Sequence, residues 1–192
     1  HQVSDGETWQ EVLAAHLQDP VRNLGVGGWS VYPAYRRMLK EEQRAPAEYI
    51  VFNIYDDDHF RSLDSWRNIR VPKHERFIEP TLPHVVVNVK DGRFEERPNV
   101  CPNPESVYHL CDLDWVAEAF KDDFSLKIML AHMNEKTKNP ELAYAEALKL
   151  ATTHGIVTRI DTAEGLSKTA DQLHHQSAYF ASQRIVEKIE AF

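Results

Sequence analysis

Asp171 and His174, three positions apart in Ala170-Asp171-Gln172-Leu173-His174, are the sharpest chemical signal in this chain. At that spacing a carboxylate can orient an imidazole and stabilise its protonated form while the imidazole acts as general base. The same residues also fit a solvated helix start, with Asp171 and Gln172 as caps and His175 as an ordinary polar neighbour. A second locus is Asn23-Leu24-Gly25-Val26-Gly27-Gly28. Its glycines let backbone N–H groups approach a ligand without a Cβ clash, which makes Gly28 a candidate oxyanion donor with Asn23 beside it. Plain turn geometry explains such a run equally well, and it lacks the spacing of a dinucleotide or phosphate loop.

The third locus is Asp56-Asp57-Asp58-His59. Asp57 and Asp58 could grip a polar substrate, wall an active site, or belong to a solvated acidic loop. An ionised Asp57 about 3 Å from an oxyanion would be repelled by on the order of 5 kcal/mol at an effective dielectric of 20. That exceeds the roughly 3 to 4 kcal/mol lost with a missing donor. Asp57 therefore suits an oxyanion site only if it is protonated or turned away, or if the register is shifted by one. A divalent cation is the least supported alternative, because consecutive residues at a strand end point in alternate directions and the spaced calcium-loop pattern is missing. No metal or other cofactor is expected.

These loci need elements to position them. Trp9, Val12, Leu13 and Leu17 recur at helical spacing, and Ser4-Asp5-Gly6-Glu7 has the form of a capping box, which predicts a helix over about Glu7 to Leu17. A short strand over Val21 to Val26, the glycine turn and a helix over about Val31 to Glu42 follow. Tyr49 to Tyr55 reads as a parallel strand buried on both faces, being β-branched, aromatic and uncharged. From Phe60 to Cys111 the chain is Pro-rich and irregular around one hairpin, in which Val85 to Val89 and Phe94 flank the turn pair Asp91-Gly92. Helices are expected over about Leu113 to Met133 and Pro140 to His154, the latter stopped by Gly155. A strand over Ile156 to Ile160 and a helix near Ser177 to Ile189 complete the chain. Strands alternating with helices imply a mostly parallel sheet covered on both faces, with ligands at the carboxyl ends of the strands.

At 192 residues and 42% apolar, the chain has enough material for one domain with its own core. A net charge of -8 argues against a nucleic-acid partner, and no apolar run is long enough for a membrane span. Cys101 and Cys111 could close a small loop in an oxidising compartment, or remain two ordinary thiols. Trp29, Trp66, Tyr32 and Arg36 lie near the glycine run or the irregular region. Aromatic faces beside carboxylates suit carbohydrate, although a core role explains most of them better.

The glycine run, the acidic run and the D-x-x-H segment, in that order, resemble the second, third and fifth conserved blocks of the SGNH/GDSL hydrolases. Those are flavodoxin-like α/β/α esterases, lipases, acyltransferases and carbohydrate deacetylases. The resemblance covers most of the chain, with 60–111 as an insertion in a single domain over 1–192. It implies a three-layer α/β/α fold, His174 as base, Asp171 as its orienter and Gly28 as an oxyanion donor. The chain departs from the pattern at Asp57, where the family carries asparagine, and in lacking a glycine soon after His174. The first block, Gly-Asp-Ser, is not found; Ser4 has only three residues before it and suits a cap better. The resemblance thus implies an upstream segment of roughly 20 to 40 residues carrying a strand and the nucleophilic serine. The expected activity is Ser-His-Asp hydrolysis of an ester in a small molecule or carbohydrate. The alternative is a non-catalytic domain of the same kind that binds a glycan or a protein. A metal-dependent phosphodiesterase is poorly served by the scattered His and Asp residues.

Overall fold

A computed structural model describes residues 8–55, 58–70, 81–123, 127 and 139–192. The helices among these residues are α1 (Trp9–Leu17), α2 (Val31–Arg44), α3 (Asp58–Arg61), α4 (Arg67–Arg70), α5 (Leu113–Ala119), α6 (Pro140–Thr153) and α7 (Ala163–Glu190), with a 3-10 helix at Glu105–Cys111. The only sheet among the described residues is an antiparallel hairpin of β1 (His84–Asn88) and β2 (Arg93–Arg97). The protein is therefore mostly helical, and the expected flavodoxin-like three-layer α/β/α architecture with a parallel sheet is wrong.

The physical reason lies in the three runs expected to build that sheet. Residues 21–26, 49–55 and 156–160 carry β-prone side chains, yet none joins a ladder. The last two present an alternating pattern in which one face is anchored on helices and the other is open. Phe52 and Ile54 pack on the main core while Tyr49, Val51 and Tyr55 face solvent. Ile156 and Ile160 are buried beside α6 and α7, whereas Val157 is 100% exposed. Side-chain patterning set which residues face inward, but a strand also needs neighbours at ladder distance.

The main core forms where α2 and α7 meet the inner face of β1. Val31, Tyr35, Met38 and Glu42 recur every three or four residues along α2, so one stripe is buried. On α7 the matching stripe is Ala178, Ala181 and Ile185, whose small members allow close approach. Val85 and Val87 close it from β1. The hairpin forms around Asp91-Gly92, with Asn88 paired to Arg93 and Gly92 at φ +75°. Tyr32 ties these elements together: its hydroxyl donates to Glu96 on β2 at 2.9 Å and accepts from Arg36 at 3.2 Å. Glu96 also pairs with Lys188 of α7 at 3.2 Å. A second packing zone joins α6 to the first half of α7, with Ala147, Ile160 and Leu166 in one cluster and Ala151, Ile156 and Leu173 in another.

Local signals account for the helix ends. The Asn139 side chain accepts from Leu142 N–H, Pro140 opens α6, and Gly155 at φ +78° follows its end. Asp112 caps α5, but that helix stops at Ala119 instead of continuing toward Met133, and residues 128–133 lie outside the described set. Thr8 caps α1, its hydroxyl accepting from Glu11 N–H at 3.4 Å; Ser4, the expected cap, is also outside the described residues. The last helix starts at Ala163, well before Ser177, because Thr162 caps it and no proline interrupts it. Cys101 is buried, Cys111 is exposed, and both thiols are free, so the possible disulfide is not formed.

Candidate functional site

The short helix α3 stands at the centre of the expected functional segments. Its Phe60 ring lies 5.2 Å from the His174 ring and 4.8 Å from that of His175, so α3 is wedged against the middle of α7. One residue earlier, the His59 Nδ1 and the Ser182 Oγ are 2.7 Å apart, and the His59 ring packs on Tyr179 at 4.7 Å. Asp58, the first residue of α3, pairs with Arg61 at 3.0 Å. That pair neutralises one charge of the acidic run. Asp56 and Asp57 lie outside the described residues.

The glycine segment reaches α3 from the other side. A turn closed by the Trp29 N–H to the Val26 carbonyl at 3.2 Å leads into α2, with Gly28 at φ +82°. Only glycine adopts that conformation readily, which accounts for the residue type without any ligand. Two residues on, the Ser30 and Ser62 hydroxyls are 3.2 Å apart, and Ser62 also accepts from the Tyr32 N–H at 3.2 Å. Ser62 directly follows α3, so a buried pair of serines fastens the start of α2 to the helix that touches His174.

The structure therefore sets α3 against His174 through Phe60, while Asp58 at the start of α3 is paired with Arg61, and the Ser30–Ser62 contact ties α3 to the turn that holds Gly28. It does not close the constellation. Nothing among the described residues stands within 4 Å of where a Cβ on Gly28 would lie, and the residue is exposed. Asn23 is occupied locally, its side chain accepting from the Gly25 N–H at 3.0 Å. Asp171 and His174 sit inside α7 and not on a loop, Asp171 exposed and His174 half-buried. Being three residues apart on a helix, they share a face.

Sequence reasoning missed Phe60, Ser62, Tyr179 and Ser182. His175 and Tyr179 are four apart on α7, with near-parallel rings whose centroids are 6.2 Å apart, and that spacing was the available signal. Nothing in the residue pattern marks Ser62 or Ser182, whose partners are distant in the chain. Of the aromatic and basic residues expected near the site, Tyr32 is core and Trp66 stacks on Phe120 at 5.7 Å. Trp29 lies under the Arg37 guanidinium at 5.7 Å. Arg36 serves the Tyr32–Glu96 network. No group of three or more His, Cys, Asp or Glu among the described residues is arranged to hold a metal ion. No helix among them is long and apolar enough to cross a membrane. Compared with family models, curated proteins and solved structures, the chain matches none.

Proposed function

We propose that this protein hydrolyses an ester of a small molecule or carbohydrate, with His174 as the general base. The observation that carries this reading is the Phe60–His174 contact, which sets the end of the acidic run against the D-x-x-H segment although the two are far apart in sequence. In the proposed reaction a serine hydroxyl attacks the ester carbonyl as His174 takes its proton, and the alcohol leaves with that proton returned. Water, deprotonated in turn by His174, then attacks the acyl-serine, releasing the carboxylic acid and returning the proton to the serine. Asp171 steadies the imidazolium from one turn earlier, and the Gly28 N–H donates to the developing oxyanion.

A second reading is favoured by one surface feature. Tyr179 is 47% exposed, its ring flanked by those of His59 and His175. Such an aromatic face close to Asp58 could hold a sugar ring without any chemistry.

One pair of measurements separates the readings. His174→Ala should lower kcat/KM for p-nitrophenyl acetate by about 10²- to 10⁴-fold, the usual contribution of a general base. Its melting temperature should fall by no more than about 4 °C, the equivalent of roughly 1 kcal/mol in a domain of this size. A fluorophosphonate probe should label one serine of the active protein. Unchanged turnover in the variant removes His174 from the mechanism. Absent labelling, together with oligosaccharide binding that is lost in Tyr179→Ala, transfers the assignment to the glycan-binding reading.

A further inference from the structure

Ser177 carries the only buried hydroxyl among the described residues that has no hydrogen-bond partner. It lies on α7 and is 1% exposed. The other buried serines are all engaged: Ser30 with Ser62, Ser65 with Asp123 and Ser182 with His59. Ser177 does not take the ordinary helical solution either. Thr152, Thr153 and Thr169 each donate to the carbonyl four residues earlier at 2.8 Å, whereas the Ser177 Oγ donates to nothing. A buried hydroxyl without a partner costs stability, so its presence calls for an explanation outside packing.

Its position supplies one. Asp171, His174 and Ser177 follow one another at intervals of three along α7. Side chains three apart on a helix are neighbours, and each leans toward the N-terminus, so Ser177 leans over the turn that carries His174. The row descends from solvent into the core: Asp171 is exposed, His174 half-buried and Ser177 buried. We propose that Ser177 is the nucleophile whose proton His174 takes, so that Asp171, His174 and Ser177 form one relay along a single helix. This assignment rests on the ester-hydrolase reading and names the serine that it requires. It also puts the nucleophile within α7, not on the upstream segment that the SGNH/GDSL resemblance implies. In the acylation step the Ser177 Oγ bonds the ester carbonyl carbon and its proton passes to His174. The bond to the alcohol oxygen then breaks as that oxygen takes the proton from His174. With no acceptor of its own, the Ser177 hydroxyl is uncommitted before substrate binds, and the contact with His174 closes in the substrate complex, where catalytic hydrogen bonds commonly tighten.

The test treats the chain with a fluorophosphonate, whose phosphorus bonds the reactive serine Oγ as fluoride leaves, and identifies the modified residue by peptide mass spectrometry. Ser177 should carry the label, and His174→Ala should slow labelling by about 10²-fold or more. Ser177→Ala should abolish labelling and lower kcat/KM for p-nitrophenyl acetate at least as far. Its melting temperature should hold or rise, because the variant removes a buried hydroxyl that had no partner. A His174-dependent label on any other serine keeps the hydrolase reading and overturns Ser177 as its nucleophile. So does full turnover in Ser177→Ala. Turnover lost in that variant together with a melting temperature lowered by more than about 4 °C, and with no label on Ser177 in the parent, marks a structural hydroxyl and overturns the assignment too. Absence of both labelling and turnover in the unaltered chain removes the hydrolase reading and this assignment together.

Discussion

His84 lies at the start of β1, buried, and burial pushes its imidazole below the ordinary value of 6.5. Its Nδ1 is 3.4 Å from the Leu82 carbonyl, and the nearby carboxylates of Asp123 and Asp64 offset the shift only in part. His154, at the end of α6, is lowered for the same leading reason. The sign follows directly. With a folded pKa below the unfolded one, the unfolded chain binds more protons between the two values, so stability rises with pH across that window. It is complete above about pH 6.5 and declines as pH falls toward the lowered folded values, below which these two groups add no further dependence. Melting temperature measured from pH 7.5 to 5 should therefore drop through the lower half of that range. His84→Gln should flatten the drop, and the double variant with His154→Gln should flatten it further; an unchanged slope would show that neither group is titrating as burial requires. Tyr32 is the opposite case, its phenol pushed up to about 12 by burial, so it stays a neutral hydrogen-bond donor to Glu96 throughout this range.

At the scale of elements, the segment joining α6 to α7 offers the cleanest contrast between a strand and the structure observed. A parallel strand buried on both faces would tolerate a charge at neither Val157 nor Ile160. Here Val157 is fully exposed and Ile160 packs with Ala147 and Leu166. Val157→Asp should change stability by no more than about 0.5 kcal/mol, as surface substitutions generally do. Ile160→Ala should cost about 2 to 5 kcal/mol through lost burial and a residual cavity. Urea unfolding of the two variants measures both, and a large loss at Val157 would restore a covered strand. The same segment shows where sequence reading works. Pro140, Gly155 and Asp91-Gly92 each determine an end or a turn through a few adjacent residues, and each does so where the residue types indicated. Strand pairing depends on partners far away, so β-prone composition suggested strands at 49–55, expected to be buried on both faces, and at 156–160, whereas each has one open face and neither joins a ladder. The candidate site divides in the same way. Asp171 and His174 were visible by spacing, but Thr162, nine residues before Asp171, starts the helix that turns their expected loop into the interior of α7. The Phe60–His174 and His59–Ser182 contacts join residues more than a hundred positions apart, and no local pattern encodes them.

At the scale of the whole molecule, charge and exposed apolar surface act against each other. A net charge of -8 at pH 7 opposes association of copies through the exposed faces of Tyr49, Val51 and Tyr55. With a sequence pI of about 5.7, acidification from pH 7 toward pH 5 carries the chain through neutrality. Over the same interval the lowered histidines weaken the fold, so the repulsion between copies and the stability of each copy decline together. The exposed apolar side chains of Tyr49, Val51 and Tyr55 then offer a surface for association between copies. Light scattering at fixed protein concentration should rise steeply as pH falls below 7 and should be suppressed by added salt-free buffer at pH 8. Val51→Lys places a charge in the middle of the exposed face, the device by which natural edge strands resist pairing. It should abolish most of the acid-induced scattering without lowering the melting temperature at pH 8. Scattering that is equal in the variant would locate the association elsewhere, at surfaces such as the exposed Trp9 and Leu17 of α1.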